Sequence, residues 1–419
     1  MRIYTRTALV LLGLTVVTGL TGCTHPDPGP TPAPAPAYPQ SVALAVSAGM
    51  PQPVRIGLVV PPVEGEGSPY RLMTEGAGIA VYRFALSGAH VELVTVLDDG
   101  TADGAANAMR SLVSEGVAGV VMASTGGHTS TALTVAAAAG VPVVMTYGQP
   151  PTPVDGVWSL APTRSQVTAA LRTTLRDAGA SRPALVSTGE NPLDVPAVTR
   201  FSPDDPAGVA AAVLTQVEAL FVDSVIIDAP ADTQARLVSA LQTGLADRQI
   251  PILLTPEALT PVFAQTLAST GTVASGLTTV GVDTGDLASL GRGGRADAAA
   301  GFFAALRLAA NDPACRNIYH DDTCAAGTAY ADITSHDAVV VLVRAAEHAA
   351  STDPSAVRTA LGTLQLTAAD GLAGPPLDFT APTLVANDTV VALYSTTTNP
   401  GVRPPTSDTP CLYWFAGTP

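Results

Sequence analysis

The chain has 419 residues, 47% of them apolar, and a formal net charge of −15. That acidity excludes nucleic acid as a partner, since phosphate backbones attract basic surfaces, and excludes broad electrostatic adhesion to anionic lipid. The apolar content excludes a disordered chain, and the length is enough for two lobes with separate cores.

At the N-terminus, Arg2 and Arg6 precede an apolar stretch from Ala8 to Leu20. It falls short of the roughly 20 apolar residues that a permanent span needs. It ends in Leu20-Thr21-Gly22-Cys23, which is similar to a bacterial lipobox: small residues admit a signal peptidase, and the Cys23 thiol takes a diacylglycerol. Residues 1–23 are therefore expected to be a lipoprotein signal peptide, with the protein lipid-anchored through Cys23 on the extracytoplasmic face of the cell membrane. An ordinary secretory signal is the alternative. Residues 24–53 are a Pro-rich linker, in which Pro26, Pro28, Pro30, Pro32, Pro34 and Pro36 favour an extended, semi-rigid spacer.

From Val54 short apolar runs alternate with amphipathic or alanine-rich segments. Val54–Val60 reads as a buried strand, Tyr70–Ser87 as a helix and His90–Leu97 as the next strand. Ala102–Glu115 is a helix, with Ala105, Met109, Leu112 and Val113 at helical spacing. Strand Val117–Ala123, helix Ser130–Ala139 and strand Val141–Met145 follow. Uniformly apolar strands separated by helices predict a parallel sheet covered on both faces and wound by right-handed crossovers. Ser165–Ala178 is a helix leaving the first lobe, after which the pattern restarts. Its strands are Pro183–Ser187, Ser224–Asp228, Ile250–Thr255 and Thr278–Val282; its helices are Ala207–Ala219 and Asp232–Ala246. Helices Ala296–Ala310, Ser335–Ala350 and Asp353–Leu361 come next, the last with Ser351 or Thr352 as N-cap. Leu377–Phe379 and Thr389–Tyr394 are short strands, and residues 397–419 are expected to be a peripheral tail.

With Cys23 taken by lipid, Cys315, Cys324 and Cys411 remain. Cys315 and Cys324 bracket a short polar loop, and a local disulfide between them suits an exported protein; Cys411 pairing with either is the alternative. A metal held by two thiolates with His320, Asp321 and Asp322 lacks any CxxC-type knuckle, so neither metal nor cofactor is expected. No Gly-x-Ser-x-Gly elbow or His-Glu-x-x-His motif points to an enzyme. Gly291-Arg292-Gly293-Gly294-Arg295 lies outside a strand–helix setting and reads as a loop.

Five segments then carry a resemblance. They are Arg55-Ile56-Gly57-Leu58-Val59-Val60-Pro61, Asp98-Asp99-Gly100 with its following helix, Gly140-Val141-Pro142-Val143-Val144, Ala161-Pro162-Thr163-Arg164-Ser165-Gln166, and Ser335-His336-Asp337-Ala338. Their order resembles the type I periplasmic binding proteins, in particular the branched-chain amino-acid receptors of ABC importers, over roughly Val54 to Tyr394. The resemblance implies an α/β fold of two doubly wound parallel-sheet lobes joined by a three-crossing hinge. Lobe one would hold residues 54–165 plus 284–365, and lobe two 166–283 plus 366–396. It also implies a monomer without enzymatic activity, which captures a small polar ligand between its lobes, an amino acid or a related compound, and hands it to an ABC permease. A binding fold with a degraded pocket, used for sensing or surface assembly, is the alternative.

The ligand should sit at the carboxyl ends of strands in both sheets. On lobe one, Ser124 to Ser130 ends a strand and begins a helix, so Gly127 and Thr129 are candidate contacts; Thr129 or Ser130 as a plain helix cap is the competing reading. The family's carboxylate-binding serine falls near Gly126 or Gly127, where its hydroxyl is absent. Tyr147, Gly148 and Gln149 form the second loop, with Gln149 about where the family has a threonine. Glu64 and Tyr70 flank the first loop. On lobe two, Glu257 in Thr255-Pro256-Glu257-Ala258 is the implied partner of a ligand ammonium, with a helix-start acid favoured by the macrodipole as the competing reading; Asp228 also ends a strand and either faces the cleft or makes an Asx turn.

Overall fold

The computed structural model describes residues 42–188, 193–245, 250–271, 276–381, 383–406 and 408–417. The lipobox with Cys23 and most of the proline run lie outside them. The first sheet is built from β1 (Val54–Val60), β2 (Val91–Leu97), β3 (Gly119–Met122), β4 (Val143–Met145) and β5 (Val157–Ser159), all parallel, in the order β2-β1-β3-β4-β5. Helices α1 (Gly76–Ala85), α2 (Ala102–Ser114) and α3 (Ser130–Ala138) connect its strands. Side chains alternate across it: Val59, Val120 and Met122 pack with Met109, Leu112 and Leu133 of α2 and α3. Ile56, Leu58 and Val121 face the opposite way, toward Phe84 of α1.

Helix α4 (Arg164–Asp177) leads into the second sheet. That sheet contains β6 (Pro183–Ser187), β7 (Thr199–Phe201), β8 (Ser224–Asp228), β9 (Ile252–Leu254) and β10 (Thr278–Val282), with α5 (Pro206–Glu218), α6 (Ala231–Leu245) and α7 (Pro261–Ser269) between them. Helices α8 (Gly294–Asn311), α9 (Ile333–Ala349) and α10 (Pro354–Leu361) return to lobe one. Two-residue strands β11 (Gln365–Leu366) and β12 (Leu377–Asp378) pair with each other, and β13 (Val390–Thr396) and β14 (Tyr413–Ala416) rejoin the second sheet. Its order is β14-β13-β10-β9-β8-β6-β7, so β6 to β10 repeat the topology of lobe one. β13 runs antiparallel to β10, and β14 antiparallel to β13. Three connections therefore cross between the lobes, after β5, after β10 and before β13.

Gln166 ties two of these crossings together. Thr163 and Gln166 form a capping box at the start of α4, while the Gln166 amide donates to the Val385 carbonyl at 2.8 Å and to Asn387 Oδ1 at 3.0 Å. A single buried amide thus joins the first crossing to the third.

Several expectations need correction. The tail is not peripheral: Tyr413–Ala416 pair with Thr396–Leu393, and Arg403 is held in a buried ion pair with Asp286. Residues 42–53, expected in the linker, dock on lobe one because Leu44 and Met50 bury their side chains and the Arg83 Nε donates to the Val42 carbonyl at 2.8 Å. The segment around β11 and β12, expected in lobe two, lies on lobe one, where the Ala373 and Gly374 amides donate to Asp337 of α9, each at 2.8 Å. Helix α10 is capped by Asp353, whose carboxylate accepts from the Ser355 and Ala356 amides; Pro354 at the first helical position sets that boundary. The first helix begins only at Gly76, after a 3-10 segment over Ser68–Glu75.

Cys315 and Cys324 are joined by a disulfide, and Cys411 is free. Among the described residues, no helix is long and apolar enough to cross a membrane. None of their His, Cys, Asp and Glu side chains form a group of three or more that could hold a metal ion.

Candidate functional site

A cavity of about 190 Å³ lies between the lobes, lined by Tyr70, Tyr147 and Asp332 from one side and by Pro256, Thr260 and Asp283 from the other. A larger groove, about 1350 Å³, opens on lobe two among Thr173, Asp177, Leu253 and Tyr394. It includes Ile250 and Pro251 ahead of β9, and Gly276 and Leu277 ahead of β10. Those are amino ends of strands, whereas open α/β sheets bind ligands at the carboxyl ends. The interlobe cavity is therefore the candidate site.

Tyr147 follows β4 directly and stacks on Tyr70, with ring centroids 4.6 Å apart and planes 9° from parallel. Two glycines permit this arrangement. A Cβ on Gly148 would fall 1.9 Å from Thr125 Oγ1, and Gly67, at φ +87°, sits against the Thr125 carbonyl just before the turn that carries Tyr70. The Tyr147 hydroxyl donates to Asp332 Oδ1 at 3.1 Å, an oxygen that also accepts from the Ser335 amide at 2.9 Å and hydroxyl at 2.6 Å. Burial, and then the Asp332 charge, push the Tyr147 phenol well above its ordinary value. Burial lifts the Asp332 carboxyl to about 6 against those lowering hydrogen bonds.

Glu257 occupies a short 3-10 turn after β9, and its neighbours Pro256 and Thr260 line the cavity. Its Oε2 is sealed from solvent without a hydrogen-bond partner. Burial, the largest influence, raises the carboxyl, opposed by a hydrogen bond with Thr255; nearby Asp228 raises it further and Arg164 lowers it. The Tyr70 phenol is likewise raised, first by burial and then by Glu257, so Glu257 acts on Tyr70 across the cleft. Asp283 Oδ1 is a second buried oxygen without a partner, and burial raises that carboxyl too.

The structure thus brings Tyr70, Tyr147 and Glu257 together. The other sequence-derived candidates are already engaged elsewhere. Gln149 is exposed and donates to the Ala161 carbonyl at 2.6 Å, at the first crossing. Asp228 is ion-paired with Arg164 at 2.6 Å. The Gly127 amide donates to Glu66 Oε2 at 3.2 Å, and the Thr129 hydroxyl to the Gly126 carbonyl at 2.7 Å. Gly148 serves close packing. Glu64 is exposed, and so is Glu66, whose carboxylate accepts from the Gly127 amide.

Sequence reasoning missed Asp332, Asp283 and the tail residues Tyr413 and Trp414, which also line the cavity. Asp332 had a signal, an aspartate ahead of an apolar helix, and it is the N-cap of α9. That signal identifies a cap but not a cavity wall. Also unforeseen was Asp98, buried where β2 ends, which accepts from the Ser124 hydroxyl and contacts His128 Nε2 at 2.6 Å. Both partners converge on one oxygen of Asp98, so histidine does not stand between serine and acid as nucleophilic catalysis requires.

The sequence matches the periplasmic binding protein family over residues 53–394. No curated protein matches it. Among solved structures, an ABC transporter substrate-binding protein from Desulfitobacterium hafniense in complex with Leu is 16% identical, with a TM-score of 0.59 over 81% of this chain and 97% of that one. A leucine binding protein from Thermotoga maritima is 20% identical, with a TM-score of 0.55 over 83% of this chain and 96% of that one. A solute binding protein from Rhodopseudomonas palustris in complex with 4-hydroxybenzoate is 12% identical, with a TM-score of 0.58 over 87% and 96% of the two chains. These likenesses share the two-lobed fold, and the family match runs through both lobes and all three crossings: the chain belongs to the periplasmic binding protein family and has its type I fold.

Proposed function

We propose that this protein is an extracytoplasmic solute-binding lipoprotein, tethered through Cys23, that captures a small amine-bearing ligand between its lobes for an ABC permease. The observation that carries the ligand reading is Glu257 Oε2, a carboxylate oxygen buried beside the cleft without a donor. Buried polar groups are normally partnered, so an orphan acceptor beside a cavity marks the place of a missing donor. An ammonium supplies three N–H donors and the opposite charge. The solved relatives hold leucine in one case and 4-hydroxybenzoate in another, which supports a small organic ligand. A ligand that touches both lobes favours the closed arrangement, and that state is what a permease would read.

The degraded-pocket reading draws on a different observation: the Gly127 amide and Thr129 hydroxyl are already satisfied within lobe one. A thermal-shift screen of amino acids, amines, amides and sugars separates the two. A ligand of the proposed class should stabilise the protein by about 2.7 kcal/mol at a hundredfold excess over Kd. Glu257→Ala should abolish most of that shift while leaving the unliganded protein folded. If no solute stabilises the protein, the degraded-pocket reading wins.

The anchor is tested separately. Mass spectrometry of the N-terminal peptide from membrane-extracted protein should show a diacylglyceryl adduct on Cys23. An unmodified Cys23 in protein released from the membrane would refute lipidation.

A further inference from the structure

Acids outnumber bases around the interlobe cavity. Asp283, Asp286 and Asp332 line it, and Glu257 lies between two lining residues. The basic residue among the described lining is Arg403, and it is turned to protein groups. Its Nε lies 2.9 Å from both Asp286 oxygens, its Nη2 2.8 Å from Oδ1, and its Nη1 donates to the Thr328 and Ala331 carbonyls. Arg164, near Glu257, is held by Asp228, and Arg295, near Asp283, donates to the Asp283 carbonyl, so a ligand carboxylate entering this cavity would meet acids without a free cation to face.

Helix N-termini are the other usual place for an anion. Around the cleft these are taken. α9 is capped by Asp332, whose carboxylate accepts from the Ser335 amide. α7 opens on Pro261, which has no N–H to offer. Ahead of α3, the Gly127 amide already donates to Glu66. The acceptors tell the opposite story: Glu257 Oε2 and Asp283 Oδ1 are both sealed from solvent and lack a donor. Aromatic faces complete the picture, with the Tyr70–Tyr147 stack on one wall and Tyr413 and Trp414 on another. Such faces attract an organic cation and cover its apolar body.

We infer that the cavity selects an organic cation with an apolar body and no carboxylate, a primary amine rather than the corresponding free amino acid. This rests on the proposed function, that a ligand binds between the lobes at Glu257, and narrows its chemistry. A cavity of about 190 Å³ suits a small amine.

Matched pairs test it directly. Isothermal titration of the mature full-length protein would compare 3-methylbutylamine with leucine and tyramine with tyrosine, each pair differing by one carboxylate. The expected result is at least tenfold tighter binding of the amine in one pair or both. Asp283→Asn and Glu257→Gln should each weaken the amine about tenfold; thermal unfolding of the unliganded variants at temperatures no lower than wild type shows that the loss is local. Equal or tighter binding of the amino acids overturns the inference while leaving the proposed function standing. The same holds if no member of any pair binds but another class of solute stabilises the protein through Glu257. If no solute of any class binds, both readings fall.

Discussion

Replacing Arg403 by alanine is expected to destabilise the unliganded protein by about 3–5 kcal/mol, the range seen when one partner of a buried ion pair is removed. Asp286 is only 6% exposed, so without the guanidinium its carboxylate is left buried among carbonyls and apolar groups. The Thr328 and Ala331 carbonyls lose a donor at the same time. The guanidinium also lies over the Phe303 ring, 5.3 Å from its centroid, and that packing goes too. Urea unfolding of the single variants and of Arg403→Ala/Asp286→Ala provides the measurement. The double variant should recover much of the loss, because it removes the stranded charge. A single-variant loss below about 1 kcal/mol, the scale of an exposed pair, would refute this account.

A second large effect depends on pH. Glu75 is buried in the turn before α1, where its Oε2 accepts from the Ile318 amide at 3.2 Å. Burial pushes its carboxyl up to about 7 from the ordinary 4.5; the Ile318 amide and Arg71 pull it down, and Asp321 pushes it up. A carboxyl raised by folding stabilises the protein fully below its unfolded value, and that contribution is lost as pH rises through the folded value. Between about pH 4.5 and about pH 7.5 this one group should therefore remove on the order of 3 kcal/mol of stability. Glu75→Gln keeps an acceptor for the Ile318 amide and carries no charge. It should be more stable than wild type by on the order of 2–3 kcal/mol at about pH 8, and close to it at about pH 4.5. Asp332 has the same sign of dependence and remains in both proteins, so the difference between them isolates Glu75. A variant whose difference from wild type does not change with pH would contradict the assignment.

What could be read from the sequence follows from what each element has to bury. β1, β6, β8 and β10 carry the bounds expected of them, because each is a short, largely buried run of strand-forming residues bracketed by turn residues. The strands that escaped notice are β5 and β7, three residues each at the sheet edges, the two-residue β11, and β14 in the Pro/Thr-rich tail. An edge strand needs backbone pairing but not an apolar sequence. Helix α7 is absent from the sequence reading; Pro261 heads it, and a proline signals a break as readily as a first helical residue. At the site, Tyr147 and Glu257 were legible because each closely follows a strand whose direction the pattern predicts, and Tyr70 because it heads the segment after the first loop. Asp283, Asp332 and Trp414 were not, since only the folded crossings bring positions so far apart in sequence to one cavity. His336 shows the same limit. It is fully buried between Arg83, 2.9 Å from its Nε2, and Asp337, 2.7 Å from its Nδ1, an arrangement no local spacing reveals.

The tail has a practical consequence for anyone preparing this protein. The family match ends at Tyr394, and trimming a recombinant chain to that limit would look safe by homology. Such a chain would lack β14, would leave Asp286 without Arg403, and would open the cavity on the side of Tyr413 and Trp414. A negative ligand screen on it would describe a different molecule. The boundary that matters for preparing this protein is set by the last strand rather than by the last residue that resembles its relatives.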